Sequence, residues 1–341
     1  MRIVTGAHLI FAGVSLVGDP DRDRQMRAPK PDWLRVRAPG GPSYAHLKRV
    51  LRSRNLYTVC EEAHCPNVGE CWGGGTATFM VLGEICTRGC RFCAVNSGDP
   101  AGRVDEQEPE NVAAAVAEMR LEYVVLTMVD RDDLPDGGAG HVAACIEAIK
   151  ERDSDIIVEA LVSDFRGDED AIDRICSARP DVFSHNVETV ERLQDVVRDR
   201  RCSYAQSLEV LARAKAHSLS PYTKSSIMLG LGETEEELVA TMRGLRLRGV
   251  DFLTLGQYLQ PSQRHLAVRE FVPPQQFERL QNLAESLGFL YVASGPLVRS
   301  SYRAGEFFVR SLLRGRQGDQ PASGDDSAES CGQRVSLGGR E

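Results

Sequence analysis

From residue 78 to residue 259 the chain alternates short β-rich runs with helical ones, and this alternation limits the fold more than any other feature. The β-rich runs are "TFMVLGE" (Thr78–Glu84), "EYVVLTM" (Glu122–Met128), "DIIVEAL" (Asp155–Leu161), "DVFSHNVE" (Asp181–Glu188), "TKSSIML" (Thr223–Leu229) and "DFLTLGQYL" (Asp251–Leu259). Between them lie stretches with helical starts and periods, such as "PENVAAAVAEMR" (Pro109–Arg120) and "ETEEELVATMRGLRLRG" (Glu233–Gly249). Apolar strands joined by connections long enough for a helix are what parallel pairing requires. Six such units predict an α/β fold, a partial (β/α)6 TIM-type barrel with N- and C-terminal extensions. Periodicity alone leaves an open doubly wound sheet as the alternative. The expected segmentation is an N-terminal arm at 1–45, rich in Pro, Gly and Arg; a cysteine-bearing segment at 46–77; the barrel at 78–290; a C-terminal segment at 291–313; and a polar, Gly/Ser-rich tail at 314–341, expected to be disordered.

Charge and cysteine usage narrow the function. A formal net charge of -8 argues against a nucleic-acid partner. No apolar run reaches the roughly 18–20 residues of a membrane helix. The start, "MRIVTGAHLIFAGVSLVG", has one positive charge, an internal His8 and no small-x-small site before "DPDRD", so it reads as an extension and not as a signal peptide. Ten cysteines are present, and six lie between Cys60 and Cys93. Dense clustering in a long chain reads as metal binding in a reducing, cytoplasmic compartment, where a disulfide framework would spread its pairs. Cys145, Cys176, Cys202 and Cys331 are scattered, and Cys331 is expected to be a bystander.

The first triplet is Cys86, Cys90 and Cys93 in "CTRGCRFC", a C-x3-C-x2-C spacing directly after the first expected strand. The C-terminal ends of such strands are where α/β folds place their chemistry. A closed [4Fe–4S] centre takes four thiolates, so three leave one iron open, as a reactive site requires. A zinc site with a remote fourth ligand is the alternative. The second triplet, Cys60, Cys65 and Cys71 in "CEEAHCPNVGECW", also lacks a fourth ligand. His64 is near, but its side chain diverges from Cys65 in most local geometries.

C-x3-C-x-aromatic-C is the signature of radical S-adenosylmethionine enzymes, and "CTRGCRFC" resembles it throughout, with Phe92 as the aromatic. The series CEEAxCPNxxEC, then CTRxCxFC, then "RSSY" (Arg299–Tyr302) resembles the lipoyl synthase family. So do "VLTMVDRDDLPDGGA" (Val125–Ala139), "DFRGD" (Asp164–Asp168), "LGLGET" (Leu229–Thr234) and "LTLGQYLQPS" (Leu253–Ser262). The resemblance spans about Tyr57 to Arg303.

The resemblance implies two [4Fe–4S] clusters and S-adenosylmethionine. Cys86, Cys90 and Cys93 would hold the cluster that binds S-adenosylmethionine. Cys60, Cys65 and Cys71 would hold an auxiliary cluster, with Ser301 as its fourth ligand. A serine oxygen is hard beside soft sulfur and suits an iron that must be released. The implied reaction inserts two sulfur atoms at carbons 6 and 8 of an octanoyl chain on a carrier lysine. The sulfur comes from the auxiliary cluster. Those carbons are unactivated, which explains the lack of an obvious base–nucleophile pair. Implied partners are octanoylated lipoyl carrier domains (2-oxoacid dehydrogenase complexes, the glycine cleavage H protein), an electron donor such as ferredoxin or flavodoxin, and iron–sulfur assembly proteins. Two other classes compete: a methylthiotransferase, which carries a basic RNA-binding appendage absent here, and an electron carrier or scaffold, which fills all four cluster positions.

Further site residues are expected around the cofactor. Asn186 and Glu188 stand two apart in the fourth run, so strand alternation would turn both to one side. They suit a ribose and an ammonium. Thr127 and Arg198 are expected to contact the nucleoside or carboxylate. "LGLGET" lacks the G-x-G-x-x-G order and reads as a tight strand-to-helix turn. Arg299 and Arg303 are candidate contacts for an acidic carrier surface. Four positions depart from the family pattern: Met128 for a serine, Ser184 for an asparagine, Asp199 for a proline and Ser226 for a glycine.

Overall fold

The computed structural model describes residues 30–35, 42–62, 65, 67–73 and 76–301. His64, Tyr302, Arg303, Cys331, the tail at 314–341 and most of the arm at 1–45 lie outside the described residues. Seven parallel strands form one sheet: β1 Thr76–Val81, β2 Tyr123–Met128, β3 Ile157–Leu161, β4 Val182–Ser184, β5 Tyr222–Leu229, β6 Phe252–Gln257 and β7 Tyr291–Gly295. Outside β1, Tyr57–Thr58 pairs antiparallel with Met80 and Phe79. Six helices make the crossovers: α1 Glu108–Glu118, α2 Ala139–Arg152, α3 Glu169–Ser177, α4 Tyr204–Ala216, α5 Glu235–Leu247 and α6 Pro274–Ser286.

The spatial order of β1 to β7 is their chain order. A doubly wound sheet needs a point where the order reverses, and there is none. Each crossover steps one strand onward, which puts the helices on one face and curls the sheet. Among the described residues β7 does not pair with β1, so the barrel is partial. No described helix is long and apolar enough to cross a membrane.

Alternation along the strands separates two packing environments. Outward residues such as Phe79, Leu126, Val158 and Phe183 pack with Val112, Ile146 and Ile175 of the helices. Cys145 and Cys176 are fully buried there as ordinary core thiols. Ile227, Leu253 and Leu255 pack likewise with Met242, Leu245, Phe277 and Leu280. The inward set Tyr123, Val125, Ile157, Val182, Tyr222 and Phe252 fills the N-terminal end of the lumen. Among these apolar groups Lys224 Nζ donates to both oxygens of Glu159 at 2.9 Å, and Tyr123 donates to Glu159 Oε2 at 2.7 Å. A buried ion pair survives when each charge is this well met. That end of the barrel is plugged, and chemistry is left to the C-terminal end.

Two expectations change. The fourth run does not stay in the sheet without a break: β4 stops at Ser184, and the chain meets β5 again only at an isolated parallel bridge between Glu188 and Ile227. The backbone N–H of Val187 goes to the Ser225 hydroxyl at 3.2 Å, which interrupts the ladder, and Glu188 adopts φ +65°. The sheet also takes in a seventh parallel strand, β7, whose sequence "YVASG" ends in small residues with little strand propensity.

Candidate functional site

Leu82 and Gly83, both at positive φ, turn the chain out of β1 into the loop of the first triplet. A two-residue ribbon, Ile85–Cys86 against Asn96–Ser97, closes that loop. Cys86, Cys90 and Cys93 are each half-buried. Backbone N–H groups point at their sulfurs: Arg88 to Cys86 at 3.4 Å and Asp199 to Cys90 at 3.3 Å. Burial pushes the Cys86 thiol up to about 12 and the Cys93 thiol to about 11. Cys90 is pushed up first by its hydrogen bond with Cys202 and then by burial. Burial thus disfavours free thiolates in this loop, a cost that coordination to a metal cluster would offset. Among the described residues no three His, Cys, Asp or Glu side chains converge on one ion. A [4Fe–4S] cubane takes each thiolate at a different iron, so its ligands stand apart. The donor set fits a cluster better than a single zinc.

The other expected cofactor contacts fall around this loop. Phe92 packs on the apolar cluster of β5, β6 and α5. Thr127 is buried near the end of β2, level with Met80 and Leu161. Asn186 Nδ2 donates to Glu188 Oε1 at 3.1 Å, so the pair does converge. It does so through the turn at Glu188 and not through strand alternation. Burial raises the Glu188 carboxyl, and Arg198 opposes that rise. The Oδ1 atom of Asn186 is buried without a partner, as a group waiting for a ligand donor would be. Arg198 is buried and acts electrostatically on Cys90, Glu188 and Asp130.

The second triplet lies under the antiparallel edge strand. Cys60 and Cys71 are buried and Cys65 is half-buried. Short helical turns at Val59–Glu62 and Val68–Gly73 carry Cys60 and Cys71. Trp72 stacks on Tyr44, which lies in a helix at Pro42–Ser53, with ring centroids 5.0 Å apart. Its buried indole N–H lies toward Cys60 but makes no hydrogen bond of good geometry. Burial lifts the Cys60 thiol to about 11 and raises Cys65, which Arg299 draws back down. Asn67 Nδ2 donates to Leu297 O at 2.6 Å and brings the C-terminal segment to this triplet. Ser301 sits half-buried at a turn four residues further on. Arg299 is not spread over the surface for a carrier: its Nη1 donates to Gln257 O at 3.2 Å and Val298 O at 2.9 Å.

The Radical SAM superfamily matches residues 80–245, and the N-terminal domain of lipoyl synthase of the Radical SAM family matches residues 15–65. The lipoyl synthase of Sorangium cellulosum is 54% identical over 87% of this chain and 83% of its own. The chain belongs to the lipoyl synthase family. The chloroplastic lipoyl synthase of Arabidopsis thaliana is 54% identical over 86% of this chain and 76% of its own. The mitochondrial lipoyl synthase of Drosophila pseudoobscura pseudoobscura is 53% identical over 88% and 82%. Among solved structures, methylornithine synthase superposes with TM-score 0.50 at 14% identity, covering 83% of this chain and 91% of that one. HydG, a maturase of the [FeFe]-hydrogenase, gives 0.52 at 12%, covering 80% and 61%. These two share the fold. Membership in the lipoyl synthase family implies an iron–sulfur cluster and S-adenosylmethionine.

In this lipoyl synthase family member the structure also explains motifs whose roles the sequence leaves open. Arg88, in the first triplet, is almost fully buried and meets Asp132 at 2.9 Å, Asp164 at 2.7 Å and Asp130 at 3.3 Å. "VLTMVDRDDLPDGGA" supplies Asp130 and Asp132, and "DFRGD" supplies Asp164. Both motifs thus converge on one guanidinium that clamps the cysteine loop to β2 and β3. Burial alone would raise Asp164, but Arg88 holds it down to about 2. Asp130, which accepts from Cys86 Sγ at 3.7 Å, is pushed up to about 6 by burial. Cys202 is no scattered thiol: it touches Cys90 and accepts from Arg88 Nη1 at 3.3 Å. Nothing in "RDRRCSY" signals this, because the contact spans 112 residues of chain. Of the four departures, Asp199 has the most contacts: its carboxylate accepts from Gly89 N at 2.9 Å and from Arg201. Ser184 and Ser226 are buried in β4 and β5, and Met128 is half-buried at the end of β2.

Proposed function

We propose that this chain makes lipoyl groups by inserting sulfur at carbons 6 and 8 of an octanoyl chain bound to a carrier lysine, with an auxiliary [4Fe–4S] cluster as the sulfur substrate. The observation that carries this reading is a pair of separate cysteine triplets, the second tied to the Ser301 segment through Asn67 and Leu297. Cys86, Cys90 and Cys93 hold the cluster that receives S-adenosylmethionine. Cys60, Cys65, Cys71 and Ser301 hold the auxiliary cluster. When bound, the first cluster and S-adenosylmethionine supply the one-electron chemistry that opens an unactivated C–H bond. Phe92 and Thr127 wall the nucleoside. Asn186 and Glu188 present paired polar atoms for a ribose and an ammonium, and the Arg198 cation favours a carboxylate. The N- and C-terminal segments close over the C-terminal end and exclude water from the reacting carbon. The carriers are lipoyl domains of 2-oxoacid dehydrogenase complexes and the glycine cleavage H protein. A ferredoxin or flavodoxin reduces the chain, and iron–sulfur assembly proteins rebuild it, in the cytoplasm.

The test replaces Cys86, Cys90 and Cys93 together by Ala. After anaerobic reconstitution the variant should carry one cluster where the wild type carries two, and it should not cleave S-adenosylmethionine. Retained cleavage would overturn the assignment of the two sites.

A further inference from the structure

The segment that leads from β7 to Ser301 is pressed onto the barrel at three points. Asn67, between Cys65 and Cys71, is 4% exposed and donates to Leu297 O at 2.6 Å. Gly256 pairs with Gly295 in the β6–β7 ladder. A Cβ built on Gly256 would overlap the carbonyl oxygen of Val298 and come within 3.0 Å of its carbonyl carbon. Gly256 has no positive φ, so its backbone would accept any residue. Only the segment lying on it requires glycine. Arg299 then reaches back across the same spot, with Nη1 donating to Gln257 O and Val298 O. Its charge is felt at Cys65. One triplet, one strand and one segment thus share a single contact point.

We propose that Gly256, Asn67 and Arg299 are positioning residues that together set where Ser301 is presented to the auxiliary cluster. This rests on the reading of Ser301 as that cluster's fourth ligand. The notch at Gly256 fixes the depth of the segment, because backbone meets backbone there and no side chain can swing aside. Asn67 fixes its position along the triplet, because a buried amide must keep its partner. Arg299 ties the segment to the end of β6. None of the three needs to touch substrate or cluster.

The test compares Gly256→Ala, Asn67→Ala and Ser301→Ala in the full chain, reconstituted anaerobically with both clusters. Three quantities are read: the electron paramagnetic resonance of each reduced cluster, 5′-deoxyadenosine formed from S-adenosylmethionine, and lipoyl product per 5′-deoxyadenosine. Gly256→Ala should keep the signal of the Cys86–Cys93 cluster and its cleavage of S-adenosylmethionine. Its auxiliary-cluster signal should shift toward that of Ser301→Ala, and product per 5′-deoxyadenosine should fall about tenfold. Asn67→Ala introduces no clash and should shift the auxiliary signal in the same direction, which keeps the test valid if Gly256→Ala does not fold. A changed signal in Ser301→Ala with wild-type signals in the foldable positioning variants overturns the inference. A wild-type signal in Ser301→Ala itself overturns the underlying reading of the ligand.

Discussion

Arg198 is held by a chain of hydrogen bonds that requires a neutral imidazole. His185 Nδ1 donates to Val162 O at 2.9 Å, and its Nε2 lies 3.0 Å from Ser207 Oγ. Ser207 Oγ accepts from Arg198 Nη1 at 2.7 Å and, with the ring neutral and Nδ1 protonated, gives its own proton to His185 Nε2. Protonating the ring would place a second buried positive charge beside Arg198. Burial, and then Arg198, lower the His185 pKa from 6.5 to about 4. Above about pH 6.5 the ring is neutral folded and unfolded, and it contributes nothing to pH dependence. As pH falls from there to about 4, the unfolded chain takes a proton that the folded chain refuses. Stability then drops by at most ~1.4 kcal/mol per pH unit. Asp130, pushed up to about 6, acts with the opposite sign over much of that window. The measurement is therefore a difference: urea denaturation of wild type and His185→Gln across the window. The wild type should lose more stability per pH unit, and equal slopes would refute the neutral-ring account. The cysteines were legible residue by residue because their chemistry is in their spacing. His185 and Ser207 were not, since a buried polar chain has no local pattern.

At the scale of elements, the strand-to-helix turn expected at "LGLGET" is present and its construction is visible. β5 ends at Leu229, and Gly230 and Gly232 follow at φ +92° and +105°. Glu233 accepts from Gly230 N at 2.6 Å and Leu231 N at 2.9 Å. Thr234 and Glu237 then form a capping box at the start of α5. A Cβ on Gly230 would overlap both Gln257 Nε2 and the Glu270 carbonyl. Gly230→Ala should cost about 3 kcal/mol, from the left-handed backbone and the overlap together. Thr234→Ala should cost about 1 kcal/mol, because only one cap is lost. Chemical denaturation of the two variants gives the ranking, and a Thr234→Ala cost equal to or above that of Gly230→Ala would contradict it. The cap was readable from residues three apart. The need for glycine at 230 was readable only in part, since Gln257 and Glu270 come from other strands and loops.

For the whole molecule, the plugged N-terminal end of the barrel leaves one end for a substrate to enter. Tyr123, Ile157, Val182, Tyr222, Phe252 and the Glu159–Lys224 pair close the other. An octanoyl chain entering there gains apolar burial of about 0.8 kcal/mol per methylene. That grips the chain without choosing which carbon faces the reacting group, because sliding by one methylene loses little. Register must come from the polar end that stays outside, the amide and the lysine behind it. An octanoyl-lysine peptide should therefore turn over far better than free octanoate under identical reducing conditions. Comparable lipoyl product from both would show that the carrier end is not read.

By itself the sequence determined the parallel α/β architecture, the two cysteine triplets and the membership they announce. Strand alternation, crossover length and ligand spacing are all properties of neighbours along the chain. It did not determine where β4 ends, because the ladder breaks on a hydroxyl of Ser225 from another strand. It did not reveal β7, because "YVASG" becomes a strand only through its pairing with β6. The tertiary structure alone decided that Arg88 gathers three carboxylates from two loops, that Cys202 lies against Cys90, and that Val298 rests in a notch at Gly256. Each of these joins residues far apart in sequence through burial, and burial depends on what the fold brings alongside.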